Sequence, residues 1–284
     1  MNFLSVENIS KAYGERILFE NISFGINKDQ KIAFIAKNGS GKTTIMNMLA
    51  GLDEPDSGQV IVRKDIKIAF LSQTDNLQPE LTIEESIFAS DNDTLKVIEQ
   101  YEKALENPDD EEAYQKAFDN MDRHNAWDFE TQYKQILFKL KLDDLKLKVK
   151  NLSGGQKKRL SLAIVLINKP DFLILDEPTN HLDLEMIEWL EDYFAKENLT
   201  LFIVTHDRFF LERVCNEILE LENGKLYQYK GNYSYYLEKK EERIASENAS
   251  VDKAKNLFVK ELEWMRRQPK ARTTKSKSRQ DDFY

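Results

Sequence analysis

A glycine-rich loop between an apolar run and a helical segment restricts the possible folds of this chain more than any other feature. The apolar run, residues 31–35, reads Lys-Ile-Ala-Phe-Ile and is typical of a buried strand. The loop, residues 36–44, reads Ala-Lys-Asn-Gly-Ser-Gly-Lys-Thr-Thr, and a helical pattern over residues 45–50 follows it. Glycines let backbone N–H groups turn inward around an anionic phosphate, and the helix N-terminus adds its positive end. The segment therefore predicts a phosphate-binding loop.

The side chains of this loop suit a nucleoside triphosphate and its metal ion. Lys42 is expected to reach the β- and γ-phosphates, and the Thr43 hydroxyl is expected to ligate Mg²⁺. Ala36 stands where the first glycine of G-x-x-x-x-G-K-[ST] is usual, which is tolerable if its φ is negative. The alternative is a glycine-rich turn with an incidental lysine. The loop residues predicted to contact the nucleotide are Lys37, Asn38, Gly39, Ser40, Gly41, Lys42, Thr43 and Thr44.

Two adjacent carboxylates follow a second apolar run. Residues 172–175 read Phe-Leu-Ile-Leu, and Asp176 and Glu177 come directly after them. A strand tip beside a phosphate loop is where an aspartate can hold the Mg²⁺ shell, so Asp176 is the predicted metal residue. Glu177 can then accept a proton from the attacking water as the general base. The alternative is a strand that ends in an acidic turn.

The pattern along the chain predicts an α/β fold with an inserted helical region. Buried-strand runs alternate with helical segments, which is typical of a core with a largely parallel central sheet. Residues 84–150 differ, because their apolar residues recur at helical spacing, and they predict a helical subdomain inserted into the sheet domain. From Glu238 onward the sequence predicts a long charged helix. One apolar residue recurs there every seven positions, at Leu237, Ile244, Val251, Phe258 and Met265.

Composition excludes several classes of protein. The 284 residues are 41% hydrophobic, so the chain can bury a sizeable core. One cysteine and three histidines exclude a disulfide framework and a Cys- or His-rich metal site. No run approaches the roughly 18 apolar residues that cross a bilayer, and no secretory signal is evident. These observations predict a cytoplasmic protein with no membrane partner.

The charge is unevenly distributed. The formal net charge is −9, yet seven basic residues and no acidic residue lie between Trp264 and Gln280. Of the 41 lysines and arginines, 34 therefore remain against 50 acidic residues elsewhere. Such a segment predicts a local polyanion-binding element, and its alternative is a solvated helix face or terminus. The residues concerned are Arg266, Arg267, Lys270, Arg272, Lys275, Lys277 and Arg279.

The order of the motifs resembles that of the ATP-binding cassette (ABC) ATPases over residues 1–231. The phosphate loop is followed by Ser-Gly-Gly-Gln at 153–156, ahead of a predicted helix over 157–168, then by Asp176-Glu177, and then by Thr205-His206 after a strand. The resemblance implies a P-loop cassette with a mixed sheet that binds ATP with Mg²⁺ and hydrolyses it. It also implies that one cassette completes the site of another, so a second copy or a second cassette is expected as partner.

The same resemblance implies roles for single residues. Tyr13 matches the aromatic residue that stacks on adenine, and Gln73 matches the glutamine that approaches Mg²⁺ and water. His206 matches the residue that senses the γ-phosphate. Contacts to the nucleotide of the opposite cassette are implied for Ser153, Gly154, Gly155, Gln156 and Asp183.

Four segments resemble the ABC-F branch, whose members are soluble tandem-cassette ATPases that act on ribosomes. They are residues 177–183, Glu-Pro-Thr-Asn-His-Leu-Asp, 205–211, 229–236 and 263–272. The resemblance implies an ATPase domain at 1–231, an arm at 84–150 and the first part of an interdomain helical hairpin at 232–284. It makes the ribosome or tRNA the expected partner of the basic segment, with Arg266 and the basic residues after it as the RNA contacts.

Two other functions fit parts of the sequence. A nucleotide-binding subunit of a membrane transporter would explain residues 1–231 but gives residues 232–284 no role. An ATP-regulated nucleic-acid-binding module with little hydrolysis of its own is the other alternative, with duplex DNA as a possible ligand.

Overall fold

The computed structural model describes residues 1–72, 77–90, 92–106 and 110–266. Within these residues the strands are β1 Asn2–Tyr13, β2 Arg16–Asn27, β3 Lys31–Ala36, β4 Ser57–Val62, β5 Ile68–Leu71, β6 Phe172–Asp176, β7 Thr200–Val204, β8 Glu217–Glu222 and β9 Lys225–Tyr229. The helices are α1 Lys42–Leu49, α2 Ile83–Phe88, α3 Asp93–Glu106, α4 Glu111–Arg123, α5 Ala126–Lys139, α6 Gly154–Ile167, α7 Leu184–Lys196, α8 Arg208–Val214 and α9 Tyr233–Arg266.

A six-stranded sheet of order β5-β6-β7-β3-β8-β9 forms the centre of the first compact unit, Met1–Tyr233. Its strands are parallel except for β9, which pairs antiparallel with β8. All five residues of β6 and of β7 are buried, as expected for central parallel strands covered on both faces. The predicted α/β fold with a largely parallel sheet is confirmed.

A second sheet covers this core. Its three strands have the order β2-β1-β4 and are antiparallel. Alternate residues of β1 and β2 point inward, and Leu4, Ile9 and Phe19 are fully buried. They belong to one hydrophobic cluster that also contains residues of α1 and of the six-stranded sheet, such as Ile45 and Phe202. The apolar core therefore lies between the two sheets, next to the start of α1.

Helices α2 to α5 lie between β5 and the short 3₁₀ turn Val149–Asn151. The Thr82 side chain begins α2 with a capping box, and the Asp110 carboxylate accepts the Ala113 N–H at the start of α4. An aromatic group joins three of these helices, with the Tyr101 and Trp127 ring centroids 4.9 Å apart. The region between β5 and α6 is thus helical, and the subdomain bounds 84–150 stay a prediction.

The second compact unit begins at Ser234. Its described part is the 34-residue helix α9, which agrees with the predicted charged helix. Leu237, Ile244 and Phe258 of the seven-residue apolar repeat are exposed, while the side chains of Val251 and Met265 lie outside the described part. Among the described residues, no helix combines the length and apolarity needed to cross a membrane.

Candidate nucleotide site

The phosphate loop connects the end of β3 to the start of α1. Gly39 and Gly41 have φ values of 74° and 99°, in the left-handed region that favours glycine. Gly41 is the N-cap of α1, and its carbonyl accepts the Ile45 N–H at 2.9 Å. Ala36 is not among the residues with positive φ. The condition under which alanine can replace the usual first glycine is therefore met.

Close packing explains why position 41 requires glycine. A Cβ atom on Gly41 would lie 3.1 Å from the Phe19 ring and 3.2 Å from a Leu18 methyl carbon. Both side chains belong to β2, so this strand lies directly against the loop. The loop is thus held in its turn by the antiparallel sheet as well as by its own hydrogen bonds.

The loop lysine is oriented by the loop itself. Lys42 Nζ donates to the Ala36 carbonyl at 3.1 Å and to Asn38 Oδ1 at 2.9 Å. The charge is therefore kept between the end of β3 and the turn, where a polyphosphate would meet it. Thr43 is exposed, whereas Thr44 is buried. Thr43 thus has the accessible hydroxyl that the metal role requires.

The two predicted acids lie at the end of β6. Asp176 is buried, with 5% of its surface exposed, and Glu177 follows it with a φ of 51°. The Glu177 N–H donates a 2.7 Å hydrogen bond to the Val204 carbonyl at the end of β7, which holds this unusual conformation. The side chain of Glu177 is only 12% exposed. A carboxylate at this strand end has the geometry that a general base needs if a water molecule lies within hydrogen-bond distance.

His206 is the neighbour of Glu177. Its Nε2 lies 3.6 Å from Glu177 Oε1, and its backbone N–H donates to Glu177 Oε2 at 3.3 Å. The His206 side chain is 75% exposed, so the imidazole is accessible to a ligand. The structure therefore brings together two predicted residues that are 29 positions apart in the sequence.

Strand order explains why these acids and the loop share one edge. β7 pairs with β6 on one side and with β3 on the other, and all three strands are parallel. Ile203 of β7 is level with both Ala33 of β3 and Leu175 of β6. Neighbouring strands are about 4.8 Å apart, so β3 and β6 are separated by roughly 10 Å across the sheet. This gap matches a site in which phosphates and a metal ion lie between the loop and the acids.

The oxygen donors at this site suit a Mg²⁺ ion that is bound jointly by the protein and a substrate. Among the described residues, no group of three or more His, Cys, Asp or Glu side chains could hold a metal ion. Mg²⁺ usually binds through one or two protein oxygens together with substrate phosphates and water. The Thr43 hydroxyl and the Asp176 carboxylate are hard oxygen donors of that kind. The residues therefore fit a magnesium ion that arrives with the nucleotide.

The Ser-Gly-Gly-Gln segment begins α6. The Ser153 hydroxyl accepts the Gln156 N–H at 3.2 Å, and the Gln156 side chain accepts the Ser153 N–H at 2.9 Å. This capping box explains why α6 begins at Gly154, three residues before the predicted start. Ser153 and Gly154 are exposed, as a contact to another molecule requires, while the Gln156 side chain caps its own helix.

Asp183 lies at the start of α7, and Tyr13 lies at the end of β1. Asp183 caps α7 by accepting the Met186 N–H, and its carboxylate lies 2.6 Å from Lys141 Nζ. The Lys141 ammonium holds the pKa of Asp183 below its usual range. Tyr13 ends β1, is 56% exposed, and its hydroxyl lies 3.5 Å from Asp53. An exposed ring is available for stacking.

Several predicted residues cannot be placed. Gln73 lies outside the described residues, and so do Arg267, Lys270, Arg272, Lys275, Lys277 and Arg279. Arg266 is the last residue of α9, but its side chain also lies outside the described part. Their roles stay predictions.

Two contacts at the site were not anticipated from the sequence. Arg16 Nη2 donates to the Gly39 carbonyl, and Lys158 Nζ lies 3.4 Å from the Ser72 carbonyl at a cavity of about 270 Å³ that Asp176 and Glu177 also line. For the contact with Gly39, the only sequence signal was the basic residue Arg16 itself, directly after the turn at Gly14. The run of three basic residues that follows Gln156 was the only sequence signal for the second contact.

Comparison with known proteins agrees with the fold. A family model described as ABC transporter matches residues 19–180, and a second model with that description, an extension of the family, matches residues 219–283. The fold is similar to that of an ATP-binding subunit of an ABC transporter, with a TM-score of 0.62 and 22% identity over 80% of this chain and 90% of that one. It is also similar to a dimeric, post-hydrolysis ATP-binding cassette bound to ADP and Pi, with a TM-score of 0.57 and 26% identity over 80% and 98%.

Curated relatives extend the comparison. The chain is 44% identical over 288 residues to the Bacillus subtilis uncharacterized ABC transporter ATP-binding protein YfmR, covering 99% of this chain and 46% of that protein. It is 34% identical over 281 residues to the Mycobacterium tuberculosis energy-dependent translational throttle protein EttA, covering 97% and 50%. The Escherichia coli K12 EttA is 36% identical over 273 residues, covering 93% and 49%. The chain thus spans about half the length of these relatives. It belongs to the ABC transporter family, as an ATP-binding cassette.

Proposed function

We propose that this chain is the N-terminal half of a tandem-cassette ATPase that hydrolyses Mg-ATP while acting on the ribosome in translation. The single observation that carries the enzymatic part is the Glu177–His206 pair beside the end of β6, on the sheet edge that bears the phosphate loop. The ribosomal part is supported by the similarity to proteins named translational throttles and by the basic segment after α9.

The proposed mechanism assigns binding and proton transfer to different elements. The backbone N–H groups and Lys42 of the loop bind the phosphates, and Thr43, Asp176 and Gln73 hold the magnesium ion. Mg²⁺, when bound, neutralises charge that develops on the phosphate oxygens. Glu177 accepts the proton of the attacking water, and His206, held against Glu177, orients toward the γ-phosphate. Tyr13 stacks on the adenine ring.

A second cassette completes the proposed site. Ser153, Gly154, Gly155, Gln156 and Asp183 would contact the nucleotide held by the partner, which is either the other half of the protein or a second copy of this chain. The exposure of Ser153 and Gly154 at the start of α6 supports this assignment. We therefore expect the chain by itself to bind nucleotide and to hydrolyse it slowly.

The domain division follows the same proposal. Residues 1–231 form the ATPase domain with an arm at 84–150, and residues 232–284 begin a helical linker. The basic residues from Arg266 onward would contact ribosomal RNA or tRNA in the cytoplasm, and duplex DNA is the competing ligand.

Replacing the proposed base tests the enzymatic part. In the protein that contains both cassettes, E177Q should lower kcat by about 100-fold or more, because a positioned base contributes that much, and should leave ATP binding intact. The matched control is E188Q, which neutralises an exposed acid on α7 and should hydrolyse ATP like the wild type. Unchanged turnover in E177Q would contradict the assignment of Glu177.

The same variant tests the ribosomal part. Slow hydrolysis should prolong the ATP-bound state, so E177Q with ATP should sediment with ribosomes more completely than E177Q with ADP. Sedimentation that does not depend on nucleotide would contradict the proposal. Co-purification with a membrane protein instead would favour a transport subunit.

A further inference from the structure

The β1–β2 hairpin contacts the phosphate loop through the first residue of β2. Arg16 Nη2 donates a 2.9 Å hydrogen bond to the Gly39 carbonyl, 23 residues away in the sequence. Gly39 has a φ of 74°, and a Cβ atom there would lie 3.1 Å from the same nitrogen. The guanidinium therefore lies against the loop backbone and holds a peptide group whose carbonyl would otherwise be free to reorient.

The other strand of the hairpin is held at a different point. Lys11 Nζ lies 3.0 Å from Asp53 and 3.6 Å from Asp56. The Ala12 N–H donates to Asp56 at 2.8 Å, and the Tyr13 hydroxyl lies 3.5 Å from Asp53. Asp53 and Asp56 follow α1, the helix that begins at the phosphate loop. The end of β1 is thus tied to the far end of the same helix.

These contacts join the β1–β2 hairpin, the phosphate loop and α1 into a closed ring of elements. Tyr13 and Arg16 pair with each other as the last pair of the hairpin. Arg16 joins the hairpin to the loop, α1 continues from the loop, and the segment after α1 returns to Lys11 and Tyr13. Because the ring is closed, the distance from the Tyr13 backbone to the loop depends on the Arg16 contact together with the packing of Leu18 and Phe19 against Gly41.

We propose that Arg16 is a positioning residue for nucleotide binding that sets the distance between the Tyr13 ring and the phosphate loop. The inference rests on the proposed function, in which Tyr13 stacks on the base and the loop binds the triphosphate. Only a ligand with both a base and a polyphosphate gains from a fixed distance between the two supports. Arg16 therefore favours ATP over inorganic tripolyphosphate, which contacts the loop alone.

Calorimetry with two ligands tests this role. R16A should weaken binding of Mg-ATP by about tenfold, the scale of one hydrogen bond to a charged group, and weaken binding of magnesium tripolyphosphate by less than about threefold. R16K keeps a charged donor and should recover most of the ATP affinity. The matched control is R63A, which removes an arginine paired with Asp65 and should change neither affinity. R16Q, which removes the charge and shortens the side chain, serves if R16A does not fold, and it should show the same preferential loss for ATP.

Steady-state kinetics provide a second readout. In the two-cassette protein, R16A should raise KM for ATP and leave kcat nearly unchanged, as expected for lost binding that is equal in the ground and transition states. Equal losses of affinity for ATP and tripolyphosphate would mean that Arg16 acts only as a nearby positive charge, which would overturn the positioning role. An unchanged ATP affinity in R16A would overturn it as well. A wild-type chain that binds neither ligand would instead contradict the proposed function itself.

Discussion

Single residues at this site have conformations that their neighbours impose. Glu177 adopts a left-handed φ that a β-carbon disfavours, and the Val204 carbonyl holds its N–H in that geometry. Such an outlier at the tip of a buried strand directs the carboxylate toward His206 instead of into the sheet. The free-energy cost of this strained backbone is offset by the interactions of the surrounding sheet.

Cys215 provides a residue-scale prediction. The thiol is buried, and burial raises its pKa to about 12. Because the raised pKa keeps the thiol protonated, the nucleophilic thiolate is scarce at pH 8 in the folded chain. Unfolding restores the usual thiol pKa near 8.5, so the thiolate becomes more abundant. We expect labelling by a thiol-reactive disulfide reagent at pH 8 to be slow in buffer and complete within seconds in denaturing urea. Rapid labelling of the native chain would contradict the buried placement.

At the scale of elements, close backbone approach fixes the antiparallel sheet. Gly58 lies at the irregular point where β4 pairs with β1, has a φ of 80°, and a Cβ atom there would lie 2.4 Å from the carbonyl oxygens of Glu7 and Asn8. Asn8 itself has a φ of 50°, at an irregular point in the β1 pairing. A side chain at position 58 would push the two strands apart.

The corresponding prediction uses two glycines with similar backbone angles. Gly224 has a φ of 75° and open space around its Cβ position, so G224A should lose only about 1–2 kcal/mol of unfolding free energy, the cost of the left-handed conformation. G58A must also separate two strands, so its loss should be larger by at least about 1 kcal/mol. Urea unfolding of both variants measures the difference. Equal losses would contradict the close approach.

At the scale of the whole molecule, the charge asymmetry decides how the chain meets a polyanion. The excess of acidic residues before Trp264 is expected to repel nucleic acid, and the seven basic residues that follow are expected to attract it. Binding that depends on lysine and arginine contacts to phosphates releases counterions and weakens with salt.

This asymmetry predicts a measurable salt dependence. For a single-stranded RNA, a plot of log K against log salt should have a slope as steep as about −5 if all seven cations contact phosphates. Replacing the seven residues with glutamine preserves the chain length and should abolish most of both the slope and the affinity, as measured by fluorescence anisotropy. An unchanged slope would place the RNA contact elsewhere, and tighter binding to duplex DNA in competition would favour the DNA alternative.

The sequence by itself determined the local elements and the chemistry at their ends. Apolar runs predicted the buried strands β3 and β6, and the sequence already assigned the predicted phosphate and metal contacts to Lys42, in the loop after β3, and to Asp176, at the end of β6. These predictions depend on short-range periodicity and on backbone freedom at glycine, which neighbouring residues specify directly. The start of α6 was placed three residues late because its cap, Ser153 with Gln156, depends on a reciprocal hydrogen bond that periodicity does not show.

Only the tertiary structure decided which of these ends meet. Placing β7 between β6 and β3 brings His206 to Glu177, and folding β2 onto the phosphate loop brings Arg16 to Gly39. The order and register of strands arise from burying all their apolar faces together in one core. That is a property of the whole packed chain, so a pattern read along any single segment does not contain it.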